Sequence, residues 1–263
     1  LIVVPYLAKR MLKGKTLNNP SVSNLTHAFI GADKTNPTVF TEFDSIMEKN
    51  NSKCRLLEGY GLTETVTVVV VNRTFDRKPG SVGKPFPDVK LKVIDENGNT
   101  LSTNKNGQIC ISAPCLALGY LNDKEATDKT FVTDENGIRW VLTGDEGYID
   151  EDGFLFIKGR IKDMFKIAGF NIFPADIEDM SNKIEGVENC AAVYIDNPDH
   201  PYVHLFIKSD SKNIDTSELV KRVRKILSNE LIKYAVPEKI TVIDKLPLTN
   251  VGKIDKKKLI ELD

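Results

Sequence analysis

Long apolar runs are missing from this 263-residue chain. The longest, Val66 to Val71, is interrupted by Thr67 and is far too short to span a bilayer. Net charge is nearly absent too: 36 basic and 37 acidic residues leave a formal charge of −1. That balance gives no electrostatic pull toward nucleic acid or an anionic membrane. Cysteine is scarce and scattered. Cys54, Cys110, Cys115 and Cys190 lack the CxxC spacing of a zinc site, so reduced, mostly packed thiols in a cytoplasmic protein are expected. His27, His200 and His204 have no neighbouring Ser or Cys arrangement that suggests a hydrolase, and structural roles are expected for them. Nowhere is there a Ser/Thr/Gly-rich phosphate loop. Gly14-Lys15-Thr16 ends like a Walker loop, but Lys9 stands where that loop needs its first Gly. The opening Leu1-Ile2-Val3-Val4-Pro5 has no initiator Met and no polar start of a signal peptide. The chain is therefore expected to begin in the middle of a longer protein.

What is present falls into three patterns. The first alternates strand and helix: a basic helical segment at Leu7 to Lys15, a buried strand over Leu25 to Ala32, and helical spacing of Phe40, Phe43, Ile46 and Met47. Such alternation predicts a mostly parallel sheet covered by helices. From Pro79 short β-like runs take over, at Lys90 to Ile94, Gly107 to Ile111, Trp140 to Leu142 and Phe154 to Ile157. Turn residues at Asp95 to Gly98, Asn106-Gly107, Asn136-Gly137 and Asp152-Gly153 separate them, so a small β-rich subdomain is predicted over about 80–160. The third pattern reads strand, helix, strand, strand, helix, strand. Pro174 starts one helix, and Asp215 caps a second with Leu219, Val223, Ile226 and Leu227 on one face. Cys190 to Ile195, Val203 to Ile207 and Ile240 to Ile243 are its strands. The boundary is placed at Arg160–Asp163, which predicts an α/β part over 1–160 followed by a small α+β domain over 161–263.

Four motifs follow in a fixed order: Tyr60-Gly61-Leu62-Thr63-Glu64-Thr65, Thr143-Gly144-Asp145, Gly159-Arg160-Ile161-Lys162-Asp163 running on to Gly169, and Pro247-Leu248-Thr249-Asn250-Val251-Gly252-Lys253-Ile254. Together they resemble the second half of an adenylate-forming enzyme, the superfamily of acyl-CoA synthetases, amino-acid adenylation domains and beetle luciferases. The resemblance covers nearly the whole chain. It implies the end of a large AMP-binding domain followed by a small, mobile C-terminal domain. It also implies ATP and AMP, Mg²⁺ and CoA as cofactors and co-substrates, and a carboxylic acid as partner. A homodimer is left open.

The chemistry explains the residue types. Joining a carboxylate to the α-phosphate of ATP brings two anions together, so the site needs cations and a grip on the nucleoside. By resemblance Tyr60 offers its ring to adenine, Gly61 belongs to the same turn, Thr63 meets phosphate and Glu64 holds Mg²⁺. The plain alternative is a strand-end turn with Tyr60 packed and Glu64 solvated. Gly31 and Ala32, with Asp33, resemble the segment whose backbone lies along adenine. Asp145 can accept from both ribose hydroxyls, and Arg160 reaches the ribose, unless it simply pairs with Asp163. Lys162 matches the hinge at which the C-terminal domain turns between adenylating and thioester-forming states, or is equally an ordinary surface lysine. Gly169, followed by Phe170, matches the glycine that leaves room for the CoA thiol arm; Ala168 replaces the usual Ser. By the same resemblance Lys253 is expected to be the catalytic cation, the plain alternative being a tail lysine among Lys256, Lys257 and Lys258; those three neighbours are assigned to a solvated face.

Leu62, Gly119-Tyr120-Leu121-Asn122 and Gly169-Phe170-Asn171-Ile172-Phe173-Pro174 lie nearer to fatty-acyl-CoA ligases than to amino-acid adenylation domains. Val66 to Val71 is either a wall of the acyl pocket or an ordinary buried strand. The expected reaction is acid plus ATP to acyl-AMP and pyrophosphate, then attack by CoA with release of AMP. Two alternatives stand beside it: an aryl or amino acid passed to a carrier-protein thiol, and a non-catalytic AMP-binding module. Without the phosphate loop, these 263 residues alone are expected to be inactive.

Overall fold

Two prolines and an asparagine set the first helices. Pro5 and Pro37 stand at the first helical positions, where their fixed φ suits the helix and a missing N–H costs nothing. Asn36 caps the second, accepting from the Thr38 N–H at 2.9 Å. In the computed structural model, residues 1–14, 16–32, 35–198, 200–210, 215–249 and 253–263 are described, without the side chain of Pro20. Lys15, Asp33, Asn250, Val251 and Gly252, named in the motifs above, lie outside these described residues. The chain divides into two units, Leu1–Ile161 and Lys162–Asp263.

The first unit holds two sheets. β1 (Ile2–Val3), β2 (Ala28–Ile30) and β3 (Leu56–Gly61) run parallel, and β4 (Val68–Val71) and β5 (Lys84–Pro85) continue the sheet antiparallel. α1 (Pro5–Lys13) and α2 (Pro37–Lys49) pack on it, with Val39, Phe43 and Met47 of α2 buried at helical spacing. The second sheet is antiparallel. It contains β6 (Lys90–Ile94), β7 (Gly107–Ser112), β8 (Phe131–Thr133), β9 (Arg139–Ile149) and β10 (Leu155–Arg160), with α3 (Lys124–Thr130) between β7 and β8. Val69 and Val70 of β4 share one core with Ile109, Ile111, Val141 and Leu155, so the two sheets are fused through their buried faces. Val66, by contrast, is largely exposed at φ +63, outside the strand and unlike a buried residue.

The second unit opens with a hairpin where a single strand is predicted. β11 (Phe165–Ile167) pairs with β12 (Phe170–Ile172), and Ala168 and Gly169 turn it at φ +51 and +84. Two consecutive left-handed residues make a tight hairpin connection. α4 (Pro174–Ser181) then leads to β13 (Val187–Ile195), β14 (Tyr202–Ser209), α5 (Thr216–Glu230), β15 (Lys239–Val242) and α6 (Lys256–Ile260). β13 and β14 pair antiparallel; β15 joins β14 in parallel. Strand alternation splits this sheet's residues between two cores. Val203, Leu205 and Ile207 face α4 and α5, while Phe206 joins Leu246 and Leu259 of the final segment. Two expectations are corrected here. Ile226 lies off the α5 seam and is 36% exposed, because Leu219, Val223 and Leu227 alone fill the stripe. Lys256 is half-buried rather than simply solvated: its ammonium pairs with Glu178 at 2.7 Å.

Candidate functional site

The parallel strands β2 and β3 end side by side. A Cβ on Gly31, just past β2, would lie 2.9 Å from the Gly59 carbonyl of β3. Ala32 follows at φ +73. In open α/β sheets, ligands bind outside these carboxyl ends. Tyr60 and Gly61 close β3, and Gly61 has a packing reason to be glycine. An added Cβ there would stand 2.2 Å from the Thr67 carbonyl, inside the β3–β4 pairing. A short 3-10 turn over Thr63–Thr65 comes next, fixed by Thr65, whose hydroxyl accepts from the Leu62 N–H at 2.9 Å. Thr63 is exposed and Glu64 half-buried on that turn.

Asp145 reaches the same edge from the second sheet. Its strand partner on β10 is Arg160, whose Nε lies 2.9 Å from Asp145 Oδ1. Arg160 Nη1 also donates to the Thr143 carbonyl at 3.0 Å. On the other side, the Tyr60 hydroxyl donates to Asp145 Oδ2. The carboxylate is thus held from both ends although it is only 4% exposed. Thr143 completes the support, accepting from the Asp145 N–H at 3.0 Å while donating to the Ile109 carbonyl at 2.8 Å. Gly144 between them adopts φ +69, a conformation glycine takes at no steric cost. Burial, and then the neighbouring Asp145 charge, push the Tyr60 phenol far above its ordinary pKa, so it remains a donor. Pairing of Arg160 with Asp145 decides against the Asp163 alternative.

In the second unit, the Cβ direction at Gly169 meets nothing within 4 Å. Phe170 is exposed beside it and stacks on Tyr234 at 5.3 Å. Lys162 is exposed at the start of the unit, in a 3-10 turn over Ile161–Asp163. Lys253 is exposed. Its carbonyl accepts from the Thr249 N–H at 2.7 Å, its own N–H donates to Thr249 Oγ1 at 3.2 Å, and Leu248 and Ile254 form an isolated antiparallel bridge. Just beyond, the Lys256–Glu178 pair ties the start of α6 to α4, and Glu178 Oε1 also accepts from the Ala192 N–H at 2.8 Å.

Residues 1–121 match the model of the AMP-binding enzyme family, and residues 176–253 match its AMP-binding enzyme C-terminal domain. A 4-coumarate–CoA ligase 1 from Glycine max is 32% identical over 225 residues, covering 83% of this chain and 75% of that protein. The chain belongs to the AMP-binding enzyme family. Another member, a long-chain-fatty-acid–CoA ligase from Escherichia coli O157:H7, is 37% identical over 206 residues, 78% of this chain and 35% of the relative. The solved structure of ATP-bound MatB from Rhodopseudomonas palustris superposes on all of this chain and 50% of its own, with a TM-score of 0.85 at 29% identity. The chain therefore spans about a third to half the length of several relatives it matches.

Two links within this family member are invisible to motif reading. One is the Lys256–Glu178 pair, hidden by the run of three lysines. The other is the bond from the Tyr120 hydroxyl to Glu64; the Gly119–Asn122 motif marks the segment but not its target. Among the histidines, His204 has a structural place. His204 is 1% exposed, its ring nitrogens 2.7 Å from Asp263 Oδ1 and 2.8 Å from Thr241 Oγ1. Burial pushes the Cys110 thiol up to about 11 and raises Cys54 and Cys190 as well. No helix among the described residues is long and apolar enough to cross a membrane.

Proposed function

We propose that this chain carries the ribose-, adenine- and metal-binding elements of an acid–thiol ligase that joins a carboxylic acid to CoA through an acyl adenylate. The observation that supports it most is the buried Asp145 carboxylate, gripped by Arg160 and Tyr60 at the carboxyl edge of the parallel strands. A carboxylate so fixed accepts from a vicinal diol without reorganising. Beside it, Tyr60 presents a ring to adenine, and the backbone of Gly31 and Ala32 forms the edge of the base slot. Gly61 keeps that strand end narrow. Thr63 supplies a hydroxyl to phosphate, and Arg160 lies within reach of the ribose.

The donor set fits Mg²⁺. Among the described residues no group of three or more His, Cys, Asp or Glu is gathered to cage a metal. A single carboxylate, Glu64, at an open turn suits an ion that takes its other ligands from substrate phosphates and water. When bound, Mg²⁺ would offset phosphate charge. Lys253 is the proposed cation for the α-phosphate and attacking carboxylate. In the first half-reaction a substrate carboxylate oxygen bonds to the α-phosphorus and pyrophosphate leaves. In the second, the CoA sulfur bonds to the acyl carbon, AMP leaves, and the thiol proton passes to solvent. Gly169, with open space at its Cβ, and Phe170 are the proposed contacts of the thiol arm; Lys162 is the proposed hinge.

A fatty acid is the proposed substrate, supported by similarity to a long-chain-fatty-acid–CoA ligase at 37% identity. The similarity to a 4-coumarate–CoA ligase favours an aryl acid as the second reading. The test is to incubate the full-length protein with ATP, Mg²⁺, CoA and straight-chain, aryl and amino acids, and to detect acyl-CoA and AMP by mass spectrometry. A fatty-acyl thioester supports the reading. Acyl-AMP accumulating without thioester points to a carrier-protein acceptor, and no product from any acid points to a non-catalytic AMP-binding module. The 263 residues alone, lacking a phosphate loop, are proposed to form no thioester.

A further inference from the structure

The Gly119–Asn122 motif has a task that family membership leaves unstated. The loop between β7 and α3 runs back over the Thr63–Thr65 turn. There the Ala117 N–H donates to the Glu64 carbonyl at 2.9 Å, and the Tyr120 hydroxyl donates to Glu64 Oε1. The loop is itself clamped. Arg139 Nη1 and Nη2 donate to the Ala117 and Leu118 carbonyls, each at 2.8 Å, while its guanidinium lies 4.4 Å from the centre of the Phe131 ring. Tyr120 packs against the same ring at 6.0 Å, and its N–H donates to Thr127 Oγ1 at 2.8 Å. Both main chain and side chain of Glu64 are therefore held by one loop.

We propose that Tyr120 is a positioning residue: by occupying Oε1 it fixes the Glu64 rotamer and leaves the other carboxylate oxygen to a divalent cation. This rests on the reading of Glu64 as the Mg²⁺ ligand. An unrestrained glutamate samples many rotamers, and binding an ion would have to select one. Among the described residues Glu64 accepts no other side-chain hydrogen bond, so Tyr120 alone sets its direction.

The test uses the full-length protein with a non-hydrolysable ATP analogue and Mn²⁺, with free metal followed by electron paramagnetic resonance. Tyr120→Phe keeps the ring packing and deletes the donor. The expected result is about 10-fold weaker Mn²⁺ binding or more, with metal-free AMP affinity unchanged. Wild-type Mn²⁺ affinity in Tyr120→Phe, alongside weakened affinity in Glu64→Gln, overturns the positioning role and spares the metal reading. Loss of AMP affinity in the same proportion makes Tyr120 merely structural and overturns it too. Wild-type Mn²⁺ affinity in Glu64→Gln removes the metal reading itself.

Discussion

Tyr60 does two separable jobs, and two substitutions should split them. Its hydroxyl donates to the buried carboxylate of Asp145, and its ring is the proposed platform for adenine. Tyr60→Phe removes only the first. A hydrogen bond to a charged group contributes about 1.5–3 kcal/mol. Arg160 still holds the other oxygen at 2.9 Å, so a loss of about 2 kcal/mol is expected. For a unit of this size that lowers the melting temperature by about 4–8 °C. AMP affinity should change little, because the ring stays and the ribose can itself donate to Asp145. Tyr60→Ala removes both functions. Losing a base–aromatic stack costs about 1–3 kcal/mol, or roughly 5- to 150-fold in AMP affinity. The assays are thermal unfolding without ligand and calorimetric titration with AMP on the full-length protein. If Phe loses as much AMP affinity as Ala, the hydroxyl and not the ring carries nucleotide binding. If Phe melts like the wild type, the bond to Asp145 contributes nothing to the fold.

Three further perturbations address the second unit. Lys253→Ala should lower ATP–pyrophosphate exchange by about two to three orders of magnitude, as loss of one fixed transition-state contact does, while AMP binding survives; near-normal exchange would remove Lys253 from the chemistry. Ala168 sits at φ +51, where an L-residue is strained by roughly 1–2 kcal/mol. Ala168→Gly relieves that strain but gains entropy in the unfolded chain, so a net stabilisation of about 0.5–1 kcal/mol is expected in urea unfolding. His204 titrates below its ordinary 6.5, chiefly because burial disfavours its charged form, and Asp263 at its Nδ1 opposes that only in part. The folded state therefore binds this proton less readily than the unfolded chain. Its contribution to stability is present above pH 6.5 and is lost as pH falls toward and through the lowered value. His204→Gln should flatten the acid side of the stability curve there; an unchanged curve would place the titration elsewhere.

Local signals were legible where a residue type answers a local need. Pro174 and Asp215 start their helices as read, Asp215 accepting from the Ser217 N–H at 2.9 Å, and β6 has the bounds its apolar run suggests. Trp140–Leu142 fell short because β9 runs on through Gly144, Asp145, Glu146 and Gly147, residues with little strand preference. Pairing with β7 and β10 holds them extended regardless. α3 was missed because it buries no residue and so shows no periodicity; its one cue is Asp123, whose side chain accepts from the Ala126 N–H at 2.9 Å. α6 was hidden by its lysines, although Leu259 is fully buried.

Pairs of side chains obey a different rule. Arg160 has Asp163 close in sequence and Asp145 on another strand, and sequence distance favours the nearer one. The antiparallel register of β9 and β10 instead sets Arg160 opposite Asp145, and only a sheet can impose that choice. Tyr60 and Asp145 are 85 residues apart, Glu64 and Tyr120 56. Each motif alone supplies one donor or one acceptor, so it reads as a turn with a solvated polar group. Strand register sets Arg160 against Asp145, while the ends of β3 and the loop before α3 bring Tyr60 to Asp145 and Tyr120 to Glu64. The electrostatic work of the proposed site therefore depends on residues that position the ligating groups as much as on those groups themselves.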